Sequence, residues 1–186
     1  MTALRKRTRS VFFLFLGLLF IVPQTGYPQD ATLTNITVSN TQDDLLLFLN
    51  LEGAFREEMK KAILSGVPSS FSFFAKLKRV RSLWFDKAIA DLEVTHTVIY
   101  DNLKKEFNVT RSWKDNNTEV TKSFDEAKKW MTEIDSLKII PLDRLEKGEQ
   151  YQLRVKAEVS KKTLPLYLHY ILFFVSLWDF ETDWYT

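Results

Sequence analysis

The 186-residue sequence predicts a mainly β domain, α+β by strict count, built as an antiparallel sandwich or strongly curved sheet with two or three short covering helices. Three observations lead there. Apolar and polar side chains alternate with a period of two through much of the chain after residue 30, short polar joints separate the alternating runs, and only brief stretches carry helical spacing.

Alternation is clearest from Tyr151 to Val159, where Tyr151, Leu153, Val155, Ala157 and Val159 oppose Gln152, Arg154, Lys156 and Glu158. A strand of that kind buries one face only. A second run sets Ala88, Ala90, Leu92, Val94, His96, Val98 and Tyr100 against Asp91, Glu93, Thr95 and Thr97. Weaker alternation gives strands from Thr32 to Asn40, Leu45 to Leu51, Phe71 to Arg81, Glu106 to Trp113 and Glu119 to Lys122. The joints Asn40 to Asp44 and Asp101 to Lys105 are short enough for consecutive strands to pair as antiparallel hairpins.

Each helix has its own punctuation. Phe55, Met59, Ala62 and Ile63 form one apolar stripe that Gly66 and Pro68 close. Ser123 and Glu126 have the spacing of a capping box, ahead of an apolar face made by Phe124, Ala127, Trp130 and Met131. Pro165 suits the first turn of a third helix through Leu168, Ile171, Leu172 and Val175, after which alternation resumes at Trp178, Phe180, Thr182 and Trp184. The apolar stretch from Leu164 to Trp178 is too short to span a bilayer and contains His169 and Ser176, so a docked core helix is expected.

Arg5, Lys6, Arg7 and Arg9 precede an apolar run from Val11 to Val22, which has the layout of an export signal. As a helix that run would reach only about 18 Å against a hydrocarbon thickness of about 30 Å. Residues 1–30 are therefore expected to be a signal peptide. The alternative is an uncleaved N-terminal anchor, since neither Gln24 before Gly26 nor Gln29 before Ala31 supplies the small pair that a signal peptidase prefers. Residues 31–186 then form a single exported β-rich domain, periplasmic, soluble or tethered to the inner membrane by residues 11–22. Four of the 26 basic residues and one of the 24 acidic residues lie in the leader, so the rest of the chain has a net charge of −1. That balance does not make a nucleic-acid footprint.

The chain has no cysteine, which excludes disulfides, a thiolate nucleophile and zinc knuckles. Neither His96 nor His169 sits in a metal-ligand spacing, and no GxSxG nucleophile elbow occurs. Each imidazole is expected to be hydrogen-bonded and buried or at a boundary. No metal or cofactor is expected, and a hydrolase built on either histidine is the least favoured reading. Asp179, Glu181 and Asp183 would put three carboxylates on one strand face, answered by Arg154 and Lys156 or by Lys76 and Lys78. In the turn after Arg79, Trp84 and Phe85 are expected to plug the end of the core, with Asp86 accepting a hydrogen bond from Arg81; exposed, they would be binding anchors. Asn35, Asn108 and Asn116 begin glycosylation sequons, which matter only in a eukaryotic secretory pathway.

The signatures also occur in a known succession: the leader, Phe55 to Glu58 leading to Gly66 to Pro68, Arg81 to Asp86, Tyr100 with Leu103 and Phe107, Tyr151 to Val155, Leu164 to Leu166, and Trp178 to Trp184. In that order the chain resembles a bacterial family of exported proteins catalogued as domain of unknown function 4390. The resemblance implies an envelope protein with no assigned enzyme activity and no catalytic residues, whose genes in some members neighbour a sensor kinase of the nitrogen-regulation type. With the residue reading it gives one expectation: a non-enzymatic extracytoplasmic binding module, accessory to a membrane sensor or to envelope assembly. It would meet an envelope protein through Arg81, Trp84, Phe85, Asp86, Asp179, Glu181, Asp183 and Trp184, and a membrane only through the leader. The alternative is a periplasmic carrier of an apolar ligand between sheet and C-terminal helix.

Overall fold

The computed structural model describes residues 31–82, 85–115, 117–159 and 180–186. Among them are eight strands: β1 (Thr32–Asn40), β2 (Asp44–Glu52), β3 (Ser69–Arg79), β4 (Lys87–Asp101), β5 (Glu106–Arg111), β6 (Thr118–Thr121), β7 (Glu133–Pro141) and β8 (Tyr151–Val159). Helix α1 is Glu57–Leu64, α2 is Phe124–Thr132, and a 3-10 turn covers Leu142–Arg144. Two antiparallel sheets result, ordered β1-β2-β7 and β6-β5-β4-β3-β8. Mainly β, sandwich-like architecture is thus what the chain adopts. The predicted leader, the helix from Pro165 and the stretch from Leu164 to Trp178 lie outside the described residues.

The hairpins expected from short joints form between β1 and β2, β3 and β4, β4 and β5, and β5 and β6. β7 is the strand that alternation does not reveal. Its buried residues are Ile134, Leu137, Ile139 and Ile140, at steps of three, two and one. Two register shifts against β2, one between Leu45 and Leu46 and one between Leu47 and Leu49, produce those steps. A bulge adds a residue on one strand and moves all later side chains to the other face, so the period of two disappears from the sequence.

The two sheets share one apolar core. β2 supplies Leu47, Leu49 and Leu51, β3 supplies Phe71, Phe73, Ala75 and Leu77, and β8 supplies Val155, Ala157 and Val159. Helix α1 adds Met59, Ala62 and Ile63, the stripe read from its spacing. It closes at Gly66, whose φ of +85° is a backbone conformation that residues with a Cβ rarely adopt.

Helix α2 keeps half of its capping box. Ser123 Oγ accepts from the Glu126 N–H at 3.3 Å, but the Glu126 carboxylate accepts the Thr121 hydroxyl rather than reaching back to Ser123. The Ser123 N–H is served instead by Thr121 Oγ1 at 3.0 Å. Ser123→Ala should therefore lower stability by about 1 kcal/mol, read from denaturant unfolding; no change would show that Thr121 alone sustains the cap.

Residues 180–186 run beside β8. The Val155 and Tyr185 N–H groups donate to each other's carbonyls at 2.9 Å, and the Val159 N–H donates to the Phe180 carbonyl at 3.1 Å. Between the bridges Glu158 to Glu181 and Val155 to Tyr185 the register slips by one residue. At the slip Thr182, 4% exposed, puts its hydroxyl under the Ala157 N–H at 3.0 Å. The expected sharing of one face by Phe180, Thr182 and Trp184 is thereby corrected. Phe180 packs on buried Phe71, whereas Trp184 lies on the outer face against Lys76, Arg154 and Lys156.

Candidate functional site

The β1 strand begins with Leu33 opposite Leu51, both buried on the inner face. At Asn35, whose φ is +53°, the register against β2 shifts, so that Asn35 and Ile36 together oppose the stretch that Leu49 occupies. Beyond the shift Val38 pairs with buried Leu47, which brings Ile36 and Val38 onto the inner face. Both remain open at the edge, with 37% and 46% of their surfaces exposed.

Across from them stand Tyr151, Leu153 and Val155 of β8, Leu77 of β3, and Tyr185 of the C-terminal segment. With Leu45, Leu145 and Thr186 they line a cleft of about 550 Å³ in which, among the described residues, no side chain is charged. Its mouth is pinned by polar contacts just outside. Arg79 forms an ion pair with Glu146, the Glu146 N–H donates to the Tyr151 hydroxyl at 2.8 Å, and the Leu142 N–H donates to the Asp43 carbonyl at 2.7 Å. These contacts tie the connection between β7 and β8 to the β1–β2 turn and hold Tyr151 in place.

The β3–β4 turn projects from the same end, because Arg79 pairs with Tyr151 and the Val80 N–H donates to the Gln150 carbonyl at 2.9 Å. Arg81 and Asp86 are exposed, and Phe85 is 95% exposed. Phe85 is therefore not the core plug expected from sequence, and among the described residues no hydrogen bond joins Asp86 to Arg81. Arg79 pairs with Tyr151 two residues past the Leu77–Leu153 pair, so Phe85, further along the chain, lies beyond that end of the core. Trp84 lies outside the described residues.

The acidic C-terminal residues go elsewhere. Glu181 accepts from Lys156 Nζ at 2.7 Å, the cross-strand answer expected for that carboxylate. The Glu181 bond, with Glu158 adding to it, raises the Lys156 ammonium above its ordinary pKa. Asp183 is exposed and Asp179 falls outside the described residues. The indole of Trp184 has the cationic groups of Lys76, Arg154 and Lys156 within 5.2 to 5.8 Å. The described candidates are thus divided, with Arg81, Phe85 and Asp86 at the β3–β4 end and Glu181 and Trp184 on the outer face of the five-stranded sheet.

His96 is fully buried and bonded at both ring nitrogens. Nδ1–H donates to the Met131 carbonyl at 3.0 Å and Nε2 accepts from the Trp113 Nε1–H at 2.8 Å. Burial lowers its pKa to about 4. With both ring nitrogens bonded and the ring closed off from solvent, His96 is the buried, hydrogen-bonded imidazole that the sequence leads one to expect; His169 is outside the described residues. Sequence reasoning missed the polar cluster beside it. Arg111, 3% exposed, donates through Nε to Glu119 at 2.8 Å and lies 3.6 Å from Asp135, which Lys114 meets at 2.6 Å. The available signal was an arginine in phase with Phe107 and Val109, the inward positions of β5.

Ile36 and Val38 were missed too, although a strand without a single charge was visible between Thr32 and Asn40. Among the described residues no helix is long and apolar enough to cross a membrane. The family described as domain of unknown function (DUF4390) matches residues 28–186. No curated protein and no solved structure matches the chain.

Proposed function

Because the chain belongs to the DUF4390 family, for which no activity is established, we propose from its own geometry that it is a non-enzymatic interaction module of the bacterial envelope, binding a protein partner through the cleft-bearing end of the sandwich. One observation carries the proposal. A cleft of about 550 Å³, lined among the described residues by no charged side chain, opens between the edges of the two sheets, at the end where Phe85 stands in solvent. Interface centres are depleted in charge and anchored by aromatic residues, and exposed apolar groups gathered at one place mark binding surfaces. The extracytoplasmic setting rests on the cationic start and the apolar run to Val22.

The test is capture of partners from envelope extracts with the wild type, Ile36→Asp and Phe85→Ser. Both residues are exposed, so the fold should survive either change. Capture of the specific partner should fall at least about tenfold in each, equivalent to about 1.4 kcal/mol. Equal capture by all three proteins would remove this end of the molecule as the binding site. The cleft volume also favours a second reading, a carrier of an apolar ligand, because small-molecule sites span about 300–1,000 Å³. Native mass spectrometry finding no copurified lipid, with no uptake of N-phenylnaphthylamine, would dispose of it.

A further inference from the structure

Strand β1 is the edge of its sheet: β2 pairs with one side, and among the described residues nothing pairs with the other. Besides bulges, edge strands usually carry lysine, proline or an inward charge that discourages another chain from pairing. Thr32–Asn40 reads Thr-Leu-Thr-Asn-Ile-Thr-Val-Ser-Asn and has none of these. Every residue from Asn35 to Asn40 is exposed. The one irregularity, the bulge at Asn35 and Ile36, turns Ile36 and Val38 toward the cleft.

We infer that β1 accepts a strand from a partner protein, an extended segment whose backbone pairs with Asn35–Asn40 and whose apolar side chains, at every second position, enter the neighbouring cleft. The inference rests on the interaction-module reading and specifies its partner. An added strand would lie about 4.8 Å from β1 with inward side chains about 6.8 Å apart. Six residues would therefore send three side chains toward Leu153, Tyr151 and Tyr185. Charge selects the occupant, since neither β1 nor, among the described residues, the cleft lining carries a charged side chain. An inward charge would be desolvated without a partner, so the segment is neutral at those positions. Free backbone groups supply affinity and the cleft supplies the side-chain preference, the division of labour in recognition by strand addition.

The probe is a nine-residue peptide alternating valine and threonine, with a lysine pair at each end for solubility, offered to the purified protein. Two further versions are N-methylated, one at every valine and one at every threonine. Successive amides in a strand point to opposite edges, so one methylated version should bind within about twofold of the parent and the other should lose at least about tenfold. Saturating peptide should also slow amide exchange of Asn35–Asn40 at least about tenfold. Val38→Lys should weaken the parent peptide at least about tenfold while leaving the thermal midpoint unchanged.

Equal binding of all three peptides would overturn strand addition yet leave a binding cleft, and with it the module reading. No binding of the parent at about 1 mM would overturn the inference. If Ile36→Asp and Phe85→Ser also leave partner capture intact, the reading beneath it fails as well. A concentration-dependent dimer in sedimentation, abolished by Val38→Lys, would assign the edge to a second copy and overturn the inference.

Discussion

Acidification from pH 7 to pH 5 should remove about 2 kcal/mol of folding stability through His96 alone, and about 3 kcal/mol by pH 3. In the unfolded chain the imidazole titrates near 6.5; in the fold burial holds it at about 4. Between those values the unfolded state binds more protons than the native state, so stability is complete above pH 6.5 and falls as the pH drops toward 4. Geometry gives the sign independently. Nε2 accepts from the Trp113 indole N–H at 2.8 Å, and a proton on Nε2 would set two donors against each other. The Arg111 guanidinium nearby opposes a second positive charge, while the Met131 carbonyl and the Asp135 carboxylate favour it too weakly to compensate for burial. His96→Gln removes the titrating group and can still donate and accept. Denaturant unfolding at pH 7 and pH 5 should show a loss about 2 kcal/mol larger in the wild type than in the variant. Parallel losses would mean that carboxylates elsewhere set the acid limit.

Legibility in the sequence followed local regularity. β8 and β4 were readable because each has one buried face and a polar face, and α2 because its cap and its apolar stripe sit within a few residues of each other. What escaped depends on partners distant in sequence. β7 is shaped by two register shifts against β2, about 90 residues earlier, so its apolar residues show no period of two. Trp184 changed faces because the register beside β8 slips at Thr182, which no composition rule marks. The cleft eluded prediction for the same reason. Ile36 faces Leu153 only because a bulge in β1 and the non-consecutive pairing of β3 with β8 bring them to one end. Phe85 was read as a plug because turn residues next to a core normally cover it, whereas the length of the β3–β4 hairpin carries this one beyond.

Phe71→Ala should lower stability by about 3–5 kcal/mol, the range for deleting a buried aromatic ring and leaving a cavity. Phe71 is fully buried in β3, between His96 of β4 and Val159 of β8. Its ring meets Phe55 edge-on at 5.2 Å and Phe180 at 5.1 Å. From Phe55 the contacts continue to Phe124 at 5.8 Å and then to Phe107 at 5.7 Å. One ring thus couples the approach to α1, helix α2, strand β5 and the C-terminal segment. Edge-on pairs contribute about 0.5–1.5 kcal/mol beyond area, so a double-mutant cycle between Phe71→Ala and Phe180→Ala should give a coupling of that size. The effect should reach the cleft. Without Phe71 the segment holding Phe180 loses its inner anchor, leaving it to the backbone bonds of Phe180 with Val159, Thr182 with Ala157 and Tyr185 with Val155. Amide exchange at Thr182 and Tyr185 should accelerate more than at Val98 in the centre of β4. Because Tyr185 forms one wall of the cleft, uptake of an apolar probe should weaken in the same variant. A loss below about 1 kcal/mol, or unchanged exchange at Thr182, would separate the tail from the core and leave the cleft wall held by β8 alone.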